Sequence, residues 1–172
     1  HLAISPTGKI PAITDGDFSL ADSSAICAYL DKKYSDTRLF PADAEDYGRA
    51  LWFEDYADNE LVKATSAFFF NKVAVRMMGR EPDEAIIQKI RDKAEPAVMA
   101  YIEGEIGDKD YIVGNAFSMA DIAVVCQFVQ RLYAREPIDS DKYPNITHYL
   151  DAHMNRASFK KWINQDGFMT ID

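Results

Sequence analysis

Residues 5–30 read SPTGKIPAITDGDFSLADSSAICAYL. A Gly8-Lys9-Ile10-Pro11 turn leads into a short apolar run over 10–13, Asp15-Gly16 follows, and a second short run occupies 18–20. Asp-Gly between two short apolar runs is a strong hairpin signal. Beyond it, Ala25, Ile26, Tyr29 and Leu30 recur at helical spacing behind Asp22 and Ser23, residue types that satisfy the free N–H groups of a first helical turn. The stretch therefore predicts strand, turn, strand, helix. A hairpin with one helix leaves an apolar sheet edge open, so a further unit is expected before it.

Composition narrows the class around this stretch. The chain has 172 residues, 48% hydrophobic and 27% charged, as in a globular protein able to bury a sizeable core. No apolar run approaches the 18 or so residues needed to cross a bilayer. The formal net charge is −9, with no Lys/Arg run to follow a phosphate backbone, which disfavours nucleic acid as a partner. Cys27 and Cys126 sit among apolar helical neighbours outside any C-x-x-C pair, so buried, reduced thiols are expected. His148 and His153 are five apart, the wrong spacing for a shared metal site on one helix face; both are expected at the solvated surface, and no metal is expected.

After the hairpin and helix the chain turns polar over 31–38, and Leu39-Phe40-Pro41 forms a natural boundary because a pre-proline residue is pushed out of helix. From there the periodicity is helical throughout. Asp43 and Asp46 open a long pattern containing Trp52, Phe53, Tyr56 and Leu61. Phe68-Phe69-Phe70 and Met77-Met78 follow, readable either as plain helix packing or as the apolar wall of a ligand pocket. A break at 79–82 precedes an amphipathic stripe running from Ile86 to Ile102, which Pro96 is expected to kink. Ser118 and Asp121 are spaced as a capping box before the apolar run 122–125. Two more helices are expected, one near Tyr143-Pro144-Asn145 and one holding Phe159, Trp162 and Ile163; the tail over 167–172 is either ordered against a cleft or loose. Strands with one helix and then helices only describe a small α+β unit joined to an all-α unit.

Three groups of residues resemble the cytosolic glutathione transferase family, bacterial type. They are Ser5-Pro6-Thr7-Gly8-Lys9-Ile10-Pro11-Ala12-Ile13, the helix start Asp22-Ser23-Ser24-Ala25-Ile26 with Tyr29-Leu30, and Tyr111-Ile112-Val113-Gly114 through Phe117-Ser118 to Asp121-Ile122-Ala123. The resemblance covers nearly the whole chain and implies a thioredoxin-like, glutathione-binding unit over 1–34, partial because its first strand-helix-strand is not in the sequence. It implies a linker over 35–42 and an all-helical unit over 43–172.

It also implies site residues. Ile10-Pro11 corresponds to a cis peptide bond whose residue 10 pairs with the cysteinyl part of glutathione, against the plain reading of a trans proline entering an edge strand. Asp22 would hold the γ-glutamyl ammonium and Ser23 its carboxylate at the helix N-terminus, against the plain reading of both as caps. Lys9 would reach the glycyl carboxylate or remain solvated. Tyr56 and Asn59 are expected to face the cleft, and Asp121 to be structural. The implied activity is conjugation of the glutathione thiolate, glutathione being the co-substrate, to small hydrophobic electrophiles by a cytoplasmic homodimer. The catalytic Tyr, Ser or Cys would belong to the missing first unit, so no residue here is assigned as catalytic. Two other classes stay open: a non-catalytic interaction module, as in translation-factor subunits, and a glutathione-dependent isomerase, dehalogenase or reductase.

Overall fold

The computed structural model describes residues 2–34, 36 and 38–163. The chain enters through a tight turn in which the buried Ser5 donates its hydroxyl to the Lys9 carbonyl at 2.7 Å and Gly8 takes φ 70°. Strands β1 (Ala12–Asp15) and β2 (Phe18–Ala21) then pair antiparallel, with Ala12 opposite Ala21 and Asp15 opposite Phe18. The hairpin turn is Gly16-Asp17, one residue later than the expected Asp15-Gly16, and only Gly16 of the two takes a positive φ, 60°. Asp15 stays in the ladder because its carboxylate has another task. It accepts hydrogen bonds from Tyr29 at 2.8 Å, from Lys33, and from Tyr34 at 3.3 Å, tying the hairpin to helix α1 (Ser23–Lys33).

The polar stretch beyond α1 is pinned at Leu39. Its amide donates to Asp31 and its carbonyl accepts from Met119 N–H at 2.8 Å, while Phe40 packs its ring 5.8 Å from Tyr47. Helix α2 (Ala44–Asn59) starts where expected, with Asp43 accepting from the amides of Glu45 and Asp46 at 2.9 and 3.1 Å. After a 3-10 turn (Leu61–Ala64) the chain forms α3 (Ser66–Phe69), a π-helical turn (Phe70–Ala74) and α4 (Val75–Met77). Past Gly79, α5 (Glu84–Lys89), a second π-helical turn (Ile90–Ala94) and α6 (Glu95–Ile106) run on continuously. The interruption expected from Pro96 falls in that wide turn. Proline brings no N–H to the ladder, and it lies in the first turn of α6, just after Glu95 N–H has reached back five residues to the Ile90 carbonyl.

Helices α7 (Met119–Tyr133), α8 (Pro144–Met154) and α9 (Ala157–Ile163) complete the helical part. α2 and α7 pack side by side at its centre. Phe53, Met99, Ile102, Val124, Phe128 and Ile146 interlock around them, and a smaller cluster holds Phe68, Val73, Ile87 and Ile90. This is a two-stranded α+β unit followed by an all-helical one, as the sequence predicts.

Several expectations are corrected. His153 is buried, not solvated: its Nε2 pairs with the Asp110 carbonyl at 2.9 Å, and its ring packs 4.2 Å from that of Tyr149, while His148 is exposed. Cys126 is exposed and Cys27 only half-buried, although both are free thiols. The expectation for the tail 167–172 lies outside the described residues. Among those described, no helix is long and apolar enough to cross a membrane.

Candidate functional site

The corner between the hairpin and α1 draws three sequence signals together. The Ile10–Pro11 bond is cis, and Ile10 is 83% exposed. Pro11 continues the hairpin one step beyond the Ala12–Ala21 pair, so its carbonyl accepts a hydrogen bond from Asp22 N–H at 3.3 Å. Asp22 is thereby held directly across from Pro11.

Asp22 sits at φ 84° and ψ 129°, a left-handed conformation that few residues other than glycine adopt. Its Oδ1 accepts from Ala25 N–H at 3.0 Å, capping α1. A strained backbone of this kind persists only where its surroundings hold it, and such residues cluster at binding sites. Here the constraint comes from both sides, the ladder bond to Pro11 and the cap to α1. Ser23, the first residue of the helix, is exposed beside it, at the end where unpaired amide N–H groups favour an anion. Lys9 is exposed on the approach to the proline.

The helical part contributes residues that periodicity did not single out. Ser24 donates its hydroxyl to Glu54 Oε1 on α2, a direct tie between α1 and the helical unit. Asp58, one turn further along α2, accepts from Gln127 Nε2 at 3.2 Å, and Gln127 Oε1 accepts from Ser66 at 2.7 Å. Burial pushes the Glu54 carboxyl above its ordinary value, with Asp58, Asp22 and Asp55 adding to the effect against the hydrogen bond from Ser24. Asp58 is pushed up likewise, by burial first and then by Asp22 and Asp55. The Cys27 thiol is raised by burial, Glu54 and Asp22.

Tyr56 and Asn59 do not join this corner. Tyr56 packs its ring 4.8 Å from Tyr101 of α6, and Asn59 turns back on Asp55 of its own helix at 2.9 Å. Glu54 and Asp58 lie on a different face of α2, and only the docking of that helix against α1 and α7 decides which face meets the corner. The phenylalanine run divides between core and surface. Phe68 is fully buried in the smaller cluster, while Phe70, Met77 and Met78 are 51–67% exposed at the surface. An apolar hollow of about 610 Å³ opens elsewhere, between Leu39, Ile122, Cys126, Phe159 and Trp162, and none of Lys9, Ile10, Pro11, Asp22 or Ser23 lines it.

Comparison with known proteins agrees with this architecture. The family model for the glutathione S-transferase C-terminal domain matches residues 65–157, and that for the N-terminal domain matches residues 1–38. A glutathione S-transferase of Triticum aestivum is 29% identical over 165 residues, covering 95% of this chain and 75% of its own length. Elongation factor 1-gamma of Danio rerio is 28% identical over 158 residues, and the match spans 90% of this chain but only 34% of that protein. Among solved structures, a glutathione S-transferase from Rhodospirillum rubrum superposes with TM-score 0.85 at 21% identity, covering 98% of this chain and 76% of the other. Glutathione S-transferase I from mais, solved with an atrazine glutathione conjugate, gives TM-score 0.83 at 25% identity, with 94% and 75% covered. With the C-terminal model alone spanning more than half of its residues, the chain belongs to the glutathione S-transferase family.

Proposed function

We propose that the chain is the larger part of a glutathione transferase that conjugates the glutathione thiolate to small hydrophobic electrophiles. In this reading residues 1–34 hold glutathione, 35–42 link, and 43–172 form the helical unit. The observation that carries it is the hydrogen bond from Asp22 N–H to the Pro11 carbonyl, with Asp22 in a left-handed conformation at the cap of α1. That bond gathers the backbone of Ile10, the carboxylate of Asp22 and the first turn of α1 into one corner.

Each part of a γ-glutamyl tripeptide has a counterpart there. The cysteinyl backbone adds to the exposed Ile10 as a short antiparallel strand. The γ-glutamyl carboxylate takes the Ser23 hydroxyl and the free amides of α1, and its ammonium takes Asp22. Lys9 reaches the glycyl carboxylate. Holding the thiol beside an electrophile accelerates conjugation by positioning, and a hydroxyl donor to the sulfur favours the thiolate. The reading assigns ligand-holding residues and leaves that donor unassigned. Cytoplasmic location and homodimer formation belong to the same proposal, the latter supported by Tyr47, Leu51 and Trp52, which leave an exposed apolar face on α2.

Retention of the intact protein on immobilised glutathione, release by free glutathione, and conjugation of an activated aryl halide test the proposal. Folded protein that is not retained sinks it. The likeness to elongation factor 1-gamma favours the second reading in that event, a glutathione-transferase-like interaction module.

A further inference from the structure

At the end of α7 away from its capping box, a hollow of about 250 Å³ opens between the last turn of that helix, the start of α6 and the chain leading into α8. None of Lys9, Ile10, Pro11, Asp22 or Ser23 lines it, so it is separate from the glutathione corner. Its carboxylates are already matched. Glu95 accepts from Arg131 at 2.9 Å, Glu136 from Arg91 at 2.6 and 2.9 Å and from Lys72 at 2.9 Å, and Asp139 from the amides of Asp141 and Lys142 at 3.1 and 3.2 Å.

Two donors on the same wall are not matched. Tyr143 is 4% exposed, yet its hydroxyl has no hydrogen-bond partner among the described residues. The exposed Lys142 holds its ammonium 5.0 Å from the centre of the Tyr143 ring, and Tyr143 is the main cause that raises its pKa. Among the described residues no carboxylate lies within ion-pair distance of that ammonium. An ammonium carries donors only, so it cannot accept the hydroxyl proton. A buried hydroxyl whose proton finds no acceptor has lost its hydration without compensation.

We propose that this hollow binds a small oxyanion, a carboxylate or a phosphoryl group, whose oxygens accept from the Tyr143 hydroxyl and the Lys142 ammonium. Charge-assisted bonds of this kind are the strong ones, and a negatively charged oxygen is the complement that both groups share. The volume lies below the roughly 300–1,000 Å³ of drug-sized sites, which sets the ligand's scale. Recognition falls on these two side chains, because the first free amides of α8, those of Asn145 and Ile146, both donate to Glu103 at 2.9 Å.

The test is titration of the intact protein with sodium phosphate and, separately, with sodium acetate, ionic strength being held constant with sodium chloride and binding followed by proton–nitrogen correlation spectra. Saturable shifts are expected at the amides over 139–146. Saturation by phosphate alone identifies a phosphoryl ligand and by acetate alone a carboxylate, and either supports the site. Tyr143→Phe is expected to weaken binding about ten- to a hundredfold, the scale of a hydrogen bond to a charged group. Lys142→Gln is expected to weaken it about five- to tenfold, as one charge interaction near the surface. Lys109→Gln removes the same charge from an exposed position outside the hollow and is expected to leave binding within about twofold. Without anion, Tyr143→Phe should melt no lower than wild type, since it keeps the ring and removes an unmatched hydroxyl.

No saturable shift with either anion overturns the proposal. So does binding that survives both Tyr143→Phe and Lys142→Gln unchanged, or that falls as far in Lys109→Gln as in Lys142→Gln.

Discussion

The Tyr149 hydroxyl donates to Asp121 Oδ1 at 2.6 Å, joining α8 to the N-terminus of α7 inside the core. Asp121 also accepts from Ile112 N–H at 2.9 Å and, through Oδ2, from the amide and hydroxyl of Ser118 at 2.7 and 3.1 Å. The capping box expected from Ser118 and Asp121 is present, and the carboxylate does more than cap. It is wholly buried and organises three segments, so Asp121→Ala strands several buried donors at once. The expected cost is about 3–5 kcal/mol, above the 0.5–2 kcal/mol or so of a helix cap alone. Urea denaturation of Asp121→Ala, Tyr149→Phe and the double variant measures this; additive losses for the pair would argue against a shared hydrogen bond.

Glu136 predicts an acid limb of stability. It is 8% exposed and accepts from Arg91 at 2.6 and 2.9 Å and from Lys72 at 2.9 Å. Burial alone pushes its carboxyl up, but the bonds from Arg91 and Lys72 outweigh that and hold it below the ordinary range. A depressed carboxyl contributes stability that is present above its unfolded value, near pH 4.3, and is lost as pH falls through the lower folded value. Glu136→Gln should therefore lower the melting temperature at pH 7 and shrink the further loss between about pH 4.5 and 3. An acid limb as steep as that of the wild type would place its origin elsewhere.

Gly114 marks a close approach between segments far apart in sequence. It has φ 60°, and a Cβ there would stand 2.8 Å from Asp46 Oδ2 on α2. Gly114→Ala combines left-handed strain with a displaced carboxylate, and should cost about 1–3 kcal/mol by denaturant titration. In Asp46→Ala the same glycine substitution should cost less, since the contact is then absent.

Local codes were legible in the sequence, and docking was not. The hairpin, the Asp22 and Asp43 caps, and the Ser118–Asp121 box depend on residues within a few positions of one another, so spacing alone reveals them. The Pro11–Asp22 bond joins neighbours across one hairpin, which is why these residues could be named together. Glu54 meets Ser24 from thirty residues away. Helical period says that Glu54 and Asp58 share a face, but not which neighbour that face meets, and Tyr56 and Asn59 find their partners on Tyr101 and Asp55 instead. His153 was misplaced for the same reason, since its burial depends on Tyr149, Phe117 and the Asp110 carbonyl converging from other segments. The exposure of Cys126 likewise depends on what α7 meets beyond its own periodicity.

Glu54 predicts a pH dependence opposite in sign to that of Glu136. Its carboxyl is raised by burial and by Asp58, Asp22 and Asp55, despite the bond from Ser24. A raised carboxyl favours the folded state when protonated, so its contribution becomes unfavourable as pH rises through the window between the unfolded and folded values. Glu54→Gln should melt at a higher temperature than wild type at pH 7, with the difference vanishing below about pH 4, where both side chains are neutral. A lower melting temperature at pH 7 would mean that the bond to Ser24 outweighs the repulsion among the carboxylates.

Ser23 separates the two meanings of the α1 N-terminus most directly. Asp22 already caps the helix through Ala25 N–H, so the hydroxyl of Ser23 is not required for that role. If it donates to a charged γ-glutamyl carboxylate, Ser23→Ala should weaken glutathione binding by about 1.5–3 kcal/mol, roughly ten- to a hundredfold in dissociation constant. Helix stability should meanwhile change little, because alanine is a better helix former than serine. Calorimetric titration with glutathione and thermal melting of the same preparation provide the two readings. An unchanged dissociation constant removes Ser23 from the ligand contacts, and a large drop in melting temperature with unchanged binding returns it to a purely structural role.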